Sequence, residues 1–163
     1  MKRSAKKKEK SKINYKVLII SFLIVIIVAG IGSQFTSSQV NSSWYQETKP
    51  SITPPNFVFP IAWTILFFLL ALSLYYSWTN SNSNQKVVLA ASFGLNFFFN
   101  ICWSIFYFGL KNPGFALFDL ISLWLSIILM IKVTYKIDKK ASWLLVPYLL
   151  WVSFAGILNY LSI

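Results

Sequence analysis

Five long apolar runs constrain the fold of this chain more than any other feature. They cover approximately residues 13–33, 57–78, 87–109, 114–135 and 142–163, and polar or Pro/Gly-containing segments separate them. About 20 predominantly apolar residues are enough for a helix to cross ~30 Å of hydrocarbon, because each residue adds about 1.5 Å. We therefore predict an all-α fold, an integral membrane bundle of five transmembrane helices in a single domain.

The first run permits a second interpretation. A basic head followed by an apolar stretch that ends in small residues, at 29–33, also resembles a signal peptide with its cleavage site. Extending the run back to Ile13 makes it long enough to span, and the same small residues then suit close helix packing. The spanning interpretation is favoured, and cleavage remains the alternative.

The basic residues are distributed unevenly. Of the 15 Lys and Arg residues, eight lie in segment 1–16, one is Lys86 and four lie in segment 132–140. Five spans put these three segments on one side and leave only Lys49 and Lys111 on the other. The positive-inside rule then predicts a basic cytoplasmic tail at 1–16, a five-helix domain at 17–163 and an external C-terminus.

The net charge of +11 does not indicate nucleic acid, because most of it is concentrated next to the first span. We expect the tail to orient the protein and to contact anionic headgroups of the lipid bilayer. The abundance of Lys, Asn, Ile and Phe is typical of an AT-rich bacterial genome, so we predict a bacterial plasma-membrane protein.

The side chains present exclude several kinds of chemistry. The chain has no His and one Cys, Cys102, so we expect neither a dedicated metal site nor a resident cofactor. No nucleophile–base pair is visible, so hydrolysis is not expected. Asp119 is the only acidic residue within an apolar run. It should face the bundle interior, either as a structural hydrogen-bonding group or towards a ligand.

Two runs carry polar and aromatic side chains at helical spacing. On the third these are Asn96, Asn100, Trp103 and Ser104; on the fifth they are Tyr148, Trp151, Ala155 and Asn159. Each set shares a helix face. From spacing alone, interhelical hydrogen bonding is favoured over ligand binding. Pro147 is expected to kink the fifth helix.

Two connections are informative. The connection at 34–56 is long, contains Trp44 and Tyr45, and is stiffened by prolines, which favours a lid or binding element over a spacer. The tight turn at 111–114 predicts that the third and fourth spans form an antiparallel hairpin.

Three stretches together carry a resemblance to a known family. They are WYQETKPSITPPNFVFPIAW at 44–63, NICWSIF at 100–106 with ALFD at 116–119, and PYLLWVSFAGILN at 147–159. In this order and at these separations they resemble the TspO/MBR family, the tryptophan-rich sensory proteins, whose mitochondrial member is the translocator protein. The resemblance covers most of the chain, from Ser43 to Tyr160.

The resemblance implies a homodimeric five-helix membrane receptor. Such a protein binds porphyrins (tetrapyrroles, including haem as a ligand) and related hydrophobic compounds in a pocket between the helices, lidded by the 34–56 loop. Some members support light-dependent porphyrin breakdown, a photochemical reaction of the ligand, in which Trp63 and Trp151 would take part. By motif position, the implied ligand-binding residues are Trp44, Tyr45 and Pro55 on the lid, and Trp63, Asn100, Trp103, Ser104, Asp119, Tyr148, Trp151 and Ala155 in the cavity.

The chain departs from the family pattern at two places, and two other functions stay open. Ile52 stands where the family usually has Trp, and no basic residue follows Tyr160, so sterol binding by the animal-type pattern is not expected. A small proton-coupled transporter would need Asp119 to titrate. A membrane assembly or structural subunit would instead bind its partner through a lipid-facing stripe such as Ser122 and Ser126.

Overall fold

The computed structural model describes residues 13–163, and this part of the chain is helical without a strand. Residues 1–12, most of the predicted basic tail, lie outside the described residues. The α-helices are α1 (Tyr15–Ser37), α2 (Ser43–Thr48), α3 (Val58–Asn80), α4 (Ser83–Ser104), α5 (Pro113–Tyr135), α6 (Lys139–Trp143) and α7 (Val146–Tyr160). A π-helical segment, Ile105–Gly109, continues α4 without a break.

Five helical units within residues 13–163 are long and apolar enough to cross a membrane. They are α1, α3, α4 with the π-helical segment, α5, and α6 with α7. This agrees with the predicted all-α bundle of five spans.

Polar caps extend the helices beyond the apolar runs. The Asn82 side chain accepts a hydrogen bond from the Gln85 backbone N–H while the Gln85 side chain accepts one from Asn82. This capping box starts α4 at Ser83, four residues before the apolar run at 87–109. Asp138 similarly caps α6, because its Oδ1 accepts from the backbone N–H of Lys140 and Ala141. Hydropathy therefore located the spans but not their ends.

The fifth span is interrupted rather than merely kinked. The chain leaves helical geometry at residues 144–145, and Pro147 then lies in the first turn of α7. A proline is tolerated there because the first-turn N–H groups have no intrahelical partner. The disturbance lies just upstream of the predicted position.

Small and polar residues distinguish the inward helix faces from the lipid-facing ones. Large apolar side chains such as Ile26, Phe118 and Leu150 are exposed, whereas Ser73, which is fully buried, donates to the Ala141 carbonyl at 2.8 Å. Ser126 is buried too. The lipid-facing stripe predicted to contain it is therefore wrong at this residue. Such inward polar contacts are typical of membrane bundles, where the lipid is as apolar as the core.

The helices pack so that one end of the bundle is formed by the end of α1, the start of α3, the π-helical segment and the end of α7. α4 and α5 pack extensively as neighbours, as the predicted hairpin requires. α1 lies against both α3 and α4. The segment between α1 and α3 covers this end.

Candidate functional site

A cavity of about 380 Å³ lies beneath the segment that joins α1 to α3. Its walls come from α1, α3, α4, the π-helical segment and α7. This volume lies within the range of about 300–1,000 Å³ that is typical of small-molecule sites.

The cavity wall is mostly apolar, with aromatic rings facing small residues. Trp63, Phe67 and Trp103 supply rings, while Gly32 and Ala155 leave space. A Cβ added to Gly32 would lie 3.3 Å from the Ser104 hydroxyl oxygen, so α1 and α4 approach closely here. Among the described lining residues, Lys49 is the sole charged side chain. The wall therefore suits a hydrophobic, planar ligand.

The lid, defined here as residues 38–57, is held down by aromatic packing. The Tyr45 ring is buried and its centroid lies 5.6 Å from that of Phe108, while Trp44 contacts Tyr107 edge-on at 5.7 Å. The Lys49 Nζ lies 5.8 Å from the centre of the Tyr45 ring. Burial, with a smaller contribution from Tyr107, raises the pKa of Tyr45 to about 12, so this phenol stays neutral at physiological pH.

Hydrogen bonds also tie the two ends of the lid together. The Asn56 side-chain amide donates to the Val40 carbonyl and to the Asn41 side-chain oxygen, each at 3.4 Å. Gln46 donates to the same Val40 carbonyl at 3.2 Å. The long connection is thus an ordered cover rather than a spacer.

The π-helical segment supplies the surface on which the lid rests. Its signature is the hydrogen bond from the Leu110 N–H to the Ile105 carbonyl at 2.8 Å, five residues back. The consecutive residues Tyr107 and Phe108 are both buried and both line the cavity. Single π-helical turns inside α-helices are frequent at functional sites.

Polar side chains on α4 and α7 form the cavity floor through interhelical hydrogen bonds. Asn100 donates from Nδ2 to the Tyr148 hydroxyl at 3.1 Å, and Trp103 donates from Nε1 to the Asn159 side-chain oxygen at 3.0 Å. Asn159 in turn donates to the Pro113 carbonyl at 2.8 Å. The helical stripes thus make interhelical bonds, as spacing favoured, and Asn100, Trp103 and Asn159 also line the cavity.

Comparison with known proteins agrees with this architecture. The sequence profile of the TspO/MBR family matches residues 21–162. The chain belongs to the TspO/MBR family. It is similar to the tryptophan-rich protein TspO of Archaeoglobus fulgidus, with 43% identity over 150 residues that cover 90% of this chain and 95% of the relative.

Other family members are similar over much of their length. The tryptophan-rich sensory protein of Cereibacter sphaeroides is 31% identical over 141 residues, which cover 85% of this chain and 87% of that protein. The translocator protein of Bos taurus is 29% identical over 133 residues, which cover 80% of this chain and 78% of that protein.

The structure brings six of the eleven residues implied by the family motifs to the cavity. These are Tyr45, Trp63, Asn100, Trp103, Ser104 and Ala155. They come from the lid, α3, α4 and α7, so motifs far apart in the sequence meet around one space. Their role in ligand binding stays a prediction.

The other five lie around the cavity without lining it. Trp44 packs against the π-helical segment, and the Pro55 carbonyl accepts from the Val58 N–H at the start of α3. Tyr148 lies behind Asn100, and the Trp151 ring contacts Phe59, which does line the cavity. Asp119 is buried on α5 away from the cavity wall.

Sequence reasoning missed lining residues on α1 and in the π-helical segment. Gly32 belongs to the small-residue cluster that was assigned only to packing, and Tyr107 follows Trp103 at a four-residue step. That step was a usable signal, because residues i and i+4 share a helix face. Asn159 was placed on the right stripe but was not proposed as a site residue.

Proposed function

We propose that this membrane protein of the TspO/MBR family binds porphyrins and related hydrophobic ligands in the lidded cavity. The observation that carries the proposal is a largely apolar, aromatic-walled cavity with a single charged lining residue, Lys49, among those described. The rings would stack on a planar macrocycle, and the ammonium group would pair with a carboxylate at its edge.

The chain offers a matched control for Lys49. Lys111 lies at the same end of the bundle, with its Nζ 5.9 Å from the Trp44 ring centre, yet it does not line the cavity. Both lysines sit over an aromatic ring of the lid. A ligand carboxylate inside the cavity should distinguish the two, whereas general attraction of anions to the surface should not.

The test is a titration of the detergent-solubilised protein with protoporphyrin IX and with its dimethyl ester, followed by quenching of Trp fluorescence. We expect Lys49→Gln to weaken binding of the diacid by about 3- to 10-fold, the order of one partly screened ion pair. Binding of the diester should be unchanged, and Lys111→Gln should alter neither. Absence of saturable binding by either porphyrin would contradict the proposed function, and equal losses in both variants would contradict the role of Lys49.

Light-dependent porphyrin breakdown is a second part of the proposal. Trp63 lines the cavity and its ring lies 6.1 Å from that of Tyr148, so an excited ligand would have an indole within contact distance. The chemistry would belong to the ligand, while the protein supplies position and access. Illumination should then deplete bound porphyrin faster than free porphyrin, and faster in the native protein than in Trp63→Phe. No observation gives comparable support to a proton-coupled transporter, since Asp119 does not line the cavity.

We further propose that the protein lies in a bacterial plasma membrane with a cytoplasmic N-terminus, on the strength of the charge distribution. The lid and cavity would then face outwards. The homodimer implied by the family, and the absence of a resident cofactor, stay predictions.

A further inference from the structure

A directed chain of hydrogen bonds runs from the cavity floor into the bundle. Asn100 Nδ2 donates to the Tyr148 hydroxyl, which donates to Asn96 Oδ1 at 3.4 Å. Asn96 Nδ2 donates to the Ser126 hydroxyl at 2.9 Å, and Ser126 donates to the Leu123 carbonyl at 2.6 Å. The chain thus links α4, α7 and α5 through buried groups.

The direction of this chain is set at its deep end. A backbone carbonyl can only accept, so the Ser126 hydroxyl spends its one hydrogen on Leu123 and can only accept from Asn96. Asn96 must then turn its Nδ2 towards Ser126 and its Oδ1 towards Tyr148. Tyr148 donates to that oxygen and accepts from Asn100, which fixes the Asn100 amide with Nδ2 inwards.

Asn100 therefore offers its oxygen to the cavity. Within residues 13–163, Asn100 Oδ1 accepts no hydrogen bond, and it is not among the buried polar atoms sealed from solvent without a partner. Asn100 lines the cavity, and its Nδ2 is already engaged. In an apolar site, a hydrogen-bond acceptor held in one orientation discriminates strongly, because a mismatched ligand leaves two acceptors facing each other.

We propose that the relay from Leu123 to Asn100 makes the cavity selective for apolar ligands that carry an N–H or O–H donor. Asn100 is the residue that contacts the ligand, while Tyr148, Asn96 and Ser126 are positioning residues. The inference rests on the proposed function in that it concerns a ligand of the same cavity, but it does not require that ligand to be a porphyrin.

Three tricyclic aromatics of nearly equal shape provide the test. Carbazole carries an N–H at the central position, dibenzofuran an oxygen acceptor, and fluorene a methylene group with neither property. Their binding to detergent-solubilised protein is measured by equilibrium dialysis against protein-free micelles. Comparing variants in the same detergent cancels the partitioning of each probe into micelles.

We expect the native protein to bind carbazole about tenfold more tightly than dibenzofuran, the order of one hydrogen bond in a dry site. Fluorene should bind more weakly than carbazole. Tyr148→Phe frees the Asn100 amide to turn, so the ratio of the two affinities should fall to about twofold or less. Other donors in the wall, such as the Trp63 indole N–H, act on every variant alike and cancel in this comparison.

A deeper pair of variants guards against misfolding of Tyr148→Phe. Ser126→Ala removes the end of the relay without touching the cavity wall, and it should lower the ratio by about threefold or more. Ser92→Ala is the matched control. Ser92 is also buried on α4, but its hydroxyl donates only to the Leu89 carbonyl of its own helix, so the ratio should not change.

Two results would overturn the inference. One is a native protein that binds dibenzofuran as tightly as carbazole, and the other is a ratio that survives in both Tyr148→Phe and Ser126→Ala. If protoporphyrin IX still binds saturably, the inference alone fails and the proposed function stands. If neither the tricyclic probes nor the porphyrins bind, both fail.

Discussion

At the scale of single residues, two tryptophans with similar sequence contexts have different hydrogen-bonding environments. Trp103 Nε1 donates to the Asn159 side-chain oxygen, whereas Trp151 Nε1 is buried without a partner in the part of the chain that the structure describes. An unpaired buried N–H carries a desolvation cost that folding does not recover. The two side chains should therefore respond differently to loss of the indole nitrogen.

We predict that Trp103→Phe destabilises the protein by about 1 kcal/mol more than Trp151→Phe. The first change leaves Asn159, which is almost fully buried, without its donor, while the second removes a donor that has no acceptor. Both changes remove a similar amount of ring. The measurement is unfolding by SDS in mixed micelles, followed by circular dichroism. Equal destabilisation by the two substitutions would refute the prediction.

The sequence could indicate which residues meet at the cavity only where a motif carried them. Family positions led to Trp63 and Asn100, but the partners of those side chains depend on which helices are neighbours. The bonds of Asn100 to Tyr148 and of Trp103 to Asn159 join α4 to α7, which are separated by more than 40 residues. Helical periodicity defines one face of one helix and contains no information on the partner face.

At the scale of secondary-structure elements, the lid is attached by a few aromatic contacts on a short helix. α2 has six residues, too few to be stable as an isolated helix, and its position depends on packing against the π-helical segment. A cavity of about 380 Å³ is small for a macrocycle. Entry of a porphyrin should therefore require the lid to move.

We predict that Trp44→Ala accelerates both association and dissociation of protoporphyrin IX by about 3- to 10-fold. Loss of the edge-on contact with Tyr107 removes roughly 0.5–1.5 kcal/mol that holds the lid closed. The dissociation constant should change by less than about threefold, since Trp44 does not line the cavity. Stopped-flow fluorescence gives both rate constants.

Trp143→Ala is the control for this experiment, because Trp143 is exposed at the other end of the bundle. It should leave both rate constants unchanged. A large loss of affinity in Trp44→Ala with unaltered association would show instead that Trp44 contacts the ligand directly.

Hydropathy predicted all five spans but neither α2 nor the π-helical segment. The apolar runs reflect how much of each helix must lie in hydrocarbon, which is a property of composition. A short amphipathic helix such as α2 forms only where tertiary packing supports it. The π-helical segment depends on one hydrogen bond that skips a residue, between Leu110 and Ile105, and nothing in the apolar run 87–109 distinguishes it from an α-helix.

At the scale of the whole molecule, the distribution of charge sets the orientation of the five-helix bundle. The lid end carries Lys49 and Lys111, while Lys86, Lys132, Lys136, Lys139 and Lys140 lie towards the opposite end. The positive-inside rule predicts that the opposite end is cytoplasmic.

Reporter fusions can check this orientation. Alkaline phosphatase fused after Ile163 should be active, whereas the same enzyme inserted between Asn80 and Asn82, before the cap of α4, should be inactive. An insertion at Ile137, between α5 and α6, should match the result at Asn80. Green fluorescent protein at these positions should give the reverse pattern. An internal C-terminus would refute either the orientation or the number of spans.

The cavity draws its walls from both α1 and α7, the first and the last described helices, and this has a consequence for biosynthesis. Helices enter the bilayer in the order in which the ribosome produces them. Until α7 is inserted, the floor lacks Tyr148 and Asn159, and the amides of α4 have no partners across the bundle. A nascent chain halted after α5 would therefore expose Asn100 and Trp103 to lipid, and the ligand site would come into being only with the final helix.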